Sequence, residues 1–250
     1  MTTEGGEVLN VSGLEVVYNR SVRAVNGVSL NCRAGEIVAL LGPNGAGKTS
    51  TLRAISGFAG HENGRVTAGK VIVNGHDVTR WRPERRARMG VGIVPESGKI
   101  FERLTVAEHI RAMQSWSDPE TVEEVLQMFP RLRERAPKLA GLLSGGERQM
   151  LAIAVTLSRS PSVLLIDELS LGLGPIVVDE LMERLVKIRS SRVVGIVLVE
   201  QNVDKALEVA DRCYMMAAGA VFSEEPASAL RGRSDVWDLL LGRAVGGHAG

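Results

Sequence analysis

Three observations predict an α/β fold in which an antiparallel β region and a helical subdomain are built onto an α/β core. The first is Gly42-Pro43-Asn44-Gly45-Ala46-Gly47-Lys48-Thr49, an unbroken phosphate-loop pattern set between an apolar run at 36–41 (EIVALL) and good helix formers from Lys48 to Ser56. The second is Val163-Leu164-Leu165-Ile166-Asp167-Glu168, the apolar residues of a buried strand that ends in two carboxylates. The third is a purely helical pattern from Thr105 to about Arg159. Together they divide the chain into a core at 1–100 and 160–250, with the helical subdomain inserted at 101–159.

The composition fits that plan. With 250 residues, 44% of them hydrophobic, the chain can bury one sizeable core or a core with a subdomain. A net charge of +1 gives no global field for drawing in nucleic acid or a membrane surface. Cys32 and Cys213 lie far apart and outside any C-x-x-C pairing, which argues against a disulfide or a structural zinc and fits a reducing cytoplasm. The first residues (MTTEGGEVLN) carry no signal pattern, and the longest apolar run, 193–199, is too short to span a bilayer, so a membrane-spanning chain is not expected.

In chain order, residues 7–18 and 21–33 alternate apolar and polar side chains, as two half-exposed strands joined at Asn19-Arg20 would. Tyr18, the aromatic residue there, suits either packing on the core or stacking on a base. At the phosphate loop the glycines free backbone N–H groups to face an anion, and the new helix aims its positive end at the same spot. Lys48 then reaches the β- and γ-phosphates and the Thr49 hydroxyl is a Mg²⁺ ligand, with Ser50 next to it on the first turn. Residues 64–78 form another strand pattern broken by an Asn74-Gly75 turn signal. The basic stretch with Arg80, Arg82, Arg85, Arg86 and Arg88 reads first as a solvated helix after Pro83 and second as a contact for anionic lipid or nucleic acid. Residues 91–94 are a further buried strand ending at Pro95-Glu96.

Thr105 and Glu108 stand at capping-box spacing ahead of a helix with Val106, Ile110 and Met113 on one face. Asp118 and Pro119 start the next helix, with a stripe of Val122, Val125, Leu126 and Phe129. Ser144 and Glu147 repeat the capping-box spacing, and Gly145 and Gly146 open the helix so started; it is either a well-capped helix or a second anion site. At 167–168 a buried strand ends in carboxylates, which is costly without a partner. Mg²⁺ beside the phosphate loop supplies one, leaving Glu168 as general base toward a water. A helix after Pro175 carries Val177, Leu181, Leu185 and Ile188 in one stripe, and the strand 193–199 leads to Glu200-Gln201.

Taken together these motifs resemble the ATP-binding subunit of ABC transporters over essentially the whole chain. The family's phosphate loop, glutamine loop, LSGGQ-like signature, Mg²⁺-binding strand and switch loop correspond in order to residues 42–49, Glu96, 143–147, 163–168 and Gln201. The resemblance implies a P-loop (RecA-like) ATPase core and ATP with Mg²⁺ as cofactors. It makes Tyr18 the residue that stacks on adenine, and Glu96 and Gln201 catalytic partners of Glu168, Glu96 lying also on the metal side with Thr49 and Asp167. Glu96 stands where most members have Gln, Leu169 where Pro is frequent, Leu173 where Asp is frequent and Gln201 where His is usual. The stretches VPE, FERLTV, DE-x-SLGL-x-P and LVEQN are similar to the LivF-type subunits of branched-chain amino acid importers, in which Glu and Gln are expected at positions 96 and 201.

For partners the resemblance implies a second ATP-binding subunit packed head to tail, of LivG type or a second copy. It also implies two transmembrane permeases, an indirectly coupled solute-binding protein and no nucleic acid. Ser144, Gly145 and Gly146 would cover the nucleotide held by the other subunit. The segment from Glu96 to Leu104, with Ile100 and Phe101, lies where the family docks a permease helix, core packing being the other account of Phe101. The resulting location is the cytoplasmic face of the inner membrane. Related cassettes serve urea and amide uptake or lipid export, and soluble members act in DNA repair and translation, usually with fused cassettes or a long coiled coil that this sequence lacks.

Overall fold

The computed structural model describes residues 6–96 and 100–233. Among them, one antiparallel sheet contains β1 (Glu7–Tyr18), β2 (Val22–Arg33), β4 (Gly64–Val73) and β5 (His76–Asp77), in the order β2-β1-β4-β5. Asn19 and Arg20 take φ of 49° and 65°, a turn whose twist matches the strands it joins, and Ser21 N–H closes it on Tyr18 O at 3.1 Å. Along β1 the buried side chains run Leu9, Val11, Leu14, Val16, so the alternation skips a residue after Val11. The cause is a bulge at Gly13 (φ 57°), against which β4 presses Gly69; a Cβ on Gly69 would sit 2.4 Å from Gly13 O. Without that skip, Leu14 and Val16 would face solvent.

The second sheet runs β10-β9-β3-β8-β7-β6, with β3 (Ile37–Leu41), β6 (Val91–Val94), β7 (Val163–Asp167), β8 (Gly195–Val199) and β9 (Arg212–Ala217) parallel and β10 (Ala220–Pro226) antiparallel at its edge. Every residue of β3, β7 and β8 is buried, as a parallel sheet covered on both faces requires. Alternate residues serve different interiors. Ile37, Ala39 and Leu41 join the helices, while Val38 and Leu40 join the antiparallel sheet and α1 (Lys48–Ser56).

The helical part contains α3 (Val106–Trp116), α4 (Pro119–Met128), α5 (Pro130–Glu134) and α6 (Gly145–Leu157). Both capping boxes form: Thr105 and Ser144 each accept from the N–H of the Glu three residues on, and that Glu accepts from the cap's N–H. Such a cap contributes about 1 kcal/mol, enough to fix where a helix starts. The core helices α7 (Pro175–Arg192) and α8 (Val203–Val209) cover the sheet, and α9 (Ala227–Leu230) follows β10.

Three readings of the sequence change. The buried stripe of α7 includes Val178, whereas Val177 is half-buried against Gly146. Residue Val193 is an exposed left-handed helix end, so the strand begins only at Gly195. The helix after Pro83, α2 (Pro83–Arg88), is not uniformly solvated. Its Arg86 is buried, its guanidinium engaged by four backbone carbonyls. Burial lowers its pKa to about 10, against the pull of Asp77, so it stays charged at neutral pH. The stretch from Ala206 to Arg243, which in sequence continues the resemblance to the LivF-type subunits, lies outside the described residues from position 234 on.

Candidate functional site

The phosphate loop leaves β3 and enters α1 under tight constraint. A Cβ on Gly42 would lie 2.2 Å from Met216 O, and one on Gly47, at φ 101°, 2.4 Å from Ala24 O, so at these two positions the loop is wedged against β9 and β2 with no room for a side chain. Gly219 N–H donates to Ala46 O at 2.9 Å, and Ala46 N–H to Pro43 O at 3.1 Å. Asn44 and Gly45 face solvent, Pro43, Thr49 and Ser50 are half-buried, and Ala46 and Lys48 are buried. Lys48 curls back to donate through Nζ to Gly42 O at 2.8 Å and Pro43 O at 3.1 Å. Burial lowers its pKa, opposed by the Glu168 and Asp167 carboxylates.

From the end of β7, Asp167 accepts from Thr49 Oγ1 at 3.0 Å, which ties the strand to the first turn of α1. Burial pushes the Asp167 carboxyl up; the Thr49 bond opposes this, and the nearby Glu168 and Glu96 charges add to it. Glu168 sits in the left-handed region at φ 51°, sparsely populated by residues other than Gly, with its N–H held by Val199 O at 2.9 Å. This conformation turns its side chain to Gln201, whose amide donates to Glu168 Oε2 at 2.7 Å. Four sequence-predicted residues, Thr49, Asp167, Glu168 and Gln201, are thus linked beside Lys48. Glu96 is exposed; its carboxylate lies within electrostatic range of Asp167, and its backbone oxygen accepts from Gln149 Nε2 at 3.4 Å.

Glu200 received no role from the sequence. It is fully buried, and its carboxylate accepts from Ser170 N–H at 3.0 Å and Ser170 Oγ at 2.5 Å, clamping the loop after Glu168 to the loop that carries Gln201. Burial raises its pKa, and the Ser170 bonds oppose that rise. The signal was present: a carboxylate directly after the five apolar residues of β8 needs a fixed partner. Leu169, between the two, is fully buried in the helical-side core and fills that space instead of lining the site.

Tyr18 ends β1 half-buried, its ring against Gly64, where a Cβ would come within 2.6 Å of it, and its hydroxyl is buried without a hydrogen-bond partner among the described residues. On a separate element, Ser144 is exposed at the start of α6 with its N–H and hydroxyl engaged by Glu147 Oε2 at 2.9 and 3.0 Å. Gly145 and Gly146 are pressed by Leu173 and Val177, at 2.7 and 2.3 Å from where a Cβ would be. Arg135 Nε reaches Glu147 at 2.6 Å from α5's end. Phe101 is 74% exposed, which answers the alternative of core packing, whereas Ile100 packs partly on the helical core; residues 97–99 lie outside the described residues.

A family model described as ABC transporter matches residues 25–170. The chain belongs to the ABC transporter family. It is 36% identical to the high-affinity branched-chain amino acid transport ATP-binding protein BraG of Pseudomonas aeruginosa, over 90% of this chain and 96% of that protein. It is also 36% identical to a probable branched-chain amino acid transport ATP-binding protein, LivF, of Archaeoglobus fulgidus (86% and 91%). The lipopolysaccharide export ATP-binding protein LptB of Haemophilus influenzae is 31% identical (94% and 97%). In shape the chain follows an ABC transporter cassette crystallised in its ADP conformation, with a TM-score of 0.80, 21% identity and coverage of 95% and 99%. The chain is thus an ATP-binding and ATP-hydrolysing cassette of the kind that works with transmembrane permease subunits at a membrane. Among the described residues no helix is long and apolar enough to cross a bilayer itself.

Proposed function

We propose that this cassette drives uptake of branched-chain amino acids, hydrolysing ATP at the cluster Lys48, Thr49, Asp167, Glu168 and Gln201 on the cytoplasmic face of the inner membrane. What carries the chemistry is the Gln201–Glu168 bond at 2.7 Å beside the Thr49–Asp167 bond at 3.0 Å. The amides of residues 42–49 and the start of α1 hold the phosphates, and Lys48 exchanges its two carbonyl partners for β- and γ-phosphate oxygens. Glu168 takes the proton of the attacking water. Gln201 fixes the carboxylate oxygen it bonds, and Glu200 holds the Gln201 loop against Ser170.

The Thr49 hydroxyl and the Asp167 carboxylate, joined at 3.0 Å, are hard oxygen donors, and burial pushes the Asp167 carboxyl up, so the pair fits Mg²⁺ and would hold it, with Glu96 as a further carboxylate nearby. When bound, Mg²⁺ supplies charge neutralisation for the phosphates. Tyr18 stacks on adenine from the end of β1, its ring fixed by Gly64. The insertion at 101–159 carries Ser144, Gly145 and Gly146 to the nucleotide of a second cassette, of LivG type or a second copy. Exposed Phe101 anchors a permease helix.

Identity of 36% to BraG over 90% of this chain favours branched-chain amino acids as cargo. Lipopolysaccharide export is the second reading, on the 31% identity to LptB. The chain would be assembled in liposomes with the permeases encoded beside its gene, and ATP-dependent uptake of leucine, isoleucine and valine measured with the solute-binding protein encoded there added. Uptake lost in Lys48→Ala supports the proposal. Hydrolysis that responds to lipopolysaccharide and not to the loaded binding protein would replace it with the second reading.

A further inference from the structure

The basic stretch 80–88 contains a side chain that the reaction as described does not use. Arg86 is 3% exposed, and its guanidinium donates to Ala54 O at 2.5 Å, Ile55 O at 2.8 Å, Thr79 O at 2.7 Å and Trp81 O at 3.0 Å. Two of these oxygens belong to the last turn of α1, where helix carbonyls have no partner within the helix; the Gly57 N–H just past it shares Ala54 O at 3.3 Å. A full positive charge therefore closes the negative end of the helix whose other end is the phosphate loop. Gly57 makes room for it: in the left-handed conformation at φ 89°, it ends α1, and a Cβ there would sit 3.1 Å from Arg86 Nε.

The remaining two bonds run to Thr79 and Trp81, in the segment between β5 and α2, so one side chain pins three stretches of chain together. Arg85 lies over the Trp81 ring at 3.6 Å and fixes the same segment from outside. At the other end of α1, Gly42 and Gly47 are wedged by backbone, and Thr51 N–H and hydroxyl both donate to Gly47 O at 2.9 Å. The helix is thus clamped at both ends. Lys48 and Thr49 lie on its first turn, so a tilt or slide of α1 moves them directly.

We infer that Arg86 is a positioning residue for nucleotide binding: from behind α1 it holds the helix that presents Lys48 and Thr49 to the phosphates. This rests on the phosphate-site reading above. Replacing it by an apolar side chain removes the donor to carbonyls of two segments, the end of α1 and the stretch between β5 and α2, and frees the back of the helix; misplacement of binding groups by about 1 Å can cost up to about 10²-fold.

The test is calorimetric ATP binding by the full chain, parent against Arg86→Met, Arg86→Lys and Lys48→Ala, at a temperature where circular dichroism shows each folded. A purely structural arginine would lower the melting temperature and leave the affinity of the folded fraction alone. The expected result is about tenfold weaker ATP binding in folded Arg86→Met, with partial recovery in Arg86→Lys, whose ammonium reaches some of the same carbonyls. If Arg86→Met does not fold, Arg86→Lys is read instead, with Kd raised about threefold as support and parental Kd as refutation. Parental affinity in folded Arg86→Met beside lost binding in Lys48→Ala overturns this inference alone. Parental affinity in Lys48→Ala overturns the phosphate site with it.

Discussion

The side-chain amide of Gln201 donates to Glu168 Oε2 at 2.7 Å, joining the end of β8 to the end of β7 at the carboxylate proposed above as the base. Among the described residues no hydrogen bond engages the other carboxylate oxygen of Glu168, which the proposed reaction would use. In the proposed reaction the Gln201 bond would orient the base without neutralising it, since an amide adds no charge.

Glu168→Gln should bind ATP as the parent does and lose about 10²-fold or more in turnover, because it removes a general base at nearly constant side-chain volume. Gln201→Ala should lose less, about tenfold, since the base remains and only its orientation is relaxed. Steady-state phosphate release beside equilibrium ATP binding separates the two effects. Parental turnover in Glu168→Gln would remove it from the mechanism.

Ser144→Arg addresses the composite site. Ser144 is exposed and engaged only locally with Glu147, away from the Lys48 loop in the chain, so the purified single subunit should keep its ATP affinity. The assembled transporter should lose ATP-driven closure and uptake, because in the proposed head-to-tail arrangement bulk and charge would enter where the other subunit's γ-phosphate seats. Full uptake by the mutant complex, or loss of binding by the lone subunit, would contradict the assignment.

A pH effect follows from the same capping box. Burial works to raise the Glu147 carboxyl, but the Arg135 bond and the Ser144 N–H and hydroxyl outweigh it and hold the pKa at about 2, below the ordinary 4.5. A lowered folded-state pKa stabilises the fold fully above about 4.5 and loses that contribution as pH falls toward about 2. The melting temperature of the parent should therefore drop more steeply across that window than that of Glu147→Gln, over the pH range in which both fold. Parallel curves would show that the carboxylate's pairing does not stabilise the native state.

Much of this architecture is legible because its signals are local. The capping boxes at Thr105 and Ser144 span three residues, the turns at Asn19-Arg20 and Asn74-Gly75 two, and the phosphate loop eight. The same locality placed Lys48, Asp167 and Glu168 at strand and helix ends, where the fold brings them side by side. What escaped depends on distant partners. β9 pairs with β3 far upstream, and β10 closes only on β9. Glu200 finds Ser170 thirty positions back. Arg86 looked like one more solvent-facing charge because nothing within its own helix reveals that carbonyls of residues 54, 55, 79 and 81 converge on it.

The alternation along β3 has a consequence for how the molecule comes apart. Odd-numbered residues of the strand belong to the interior shared with the helices, and even-numbered ones to the interior shared with the antiparallel sheet. Two hydrophobic bodies therefore meet at a single layer of backbone, and the loss of one need not dissolve the other. Amide hydrogens of α3 and α4, which touch only one body, should exchange through partial openings of low free energy, whereas those of β3, β7 and β8 wait for both sides to let go. The strands that end at the phosphates and at the paired carboxylates would then be the last part of the protein to exchange with solvent.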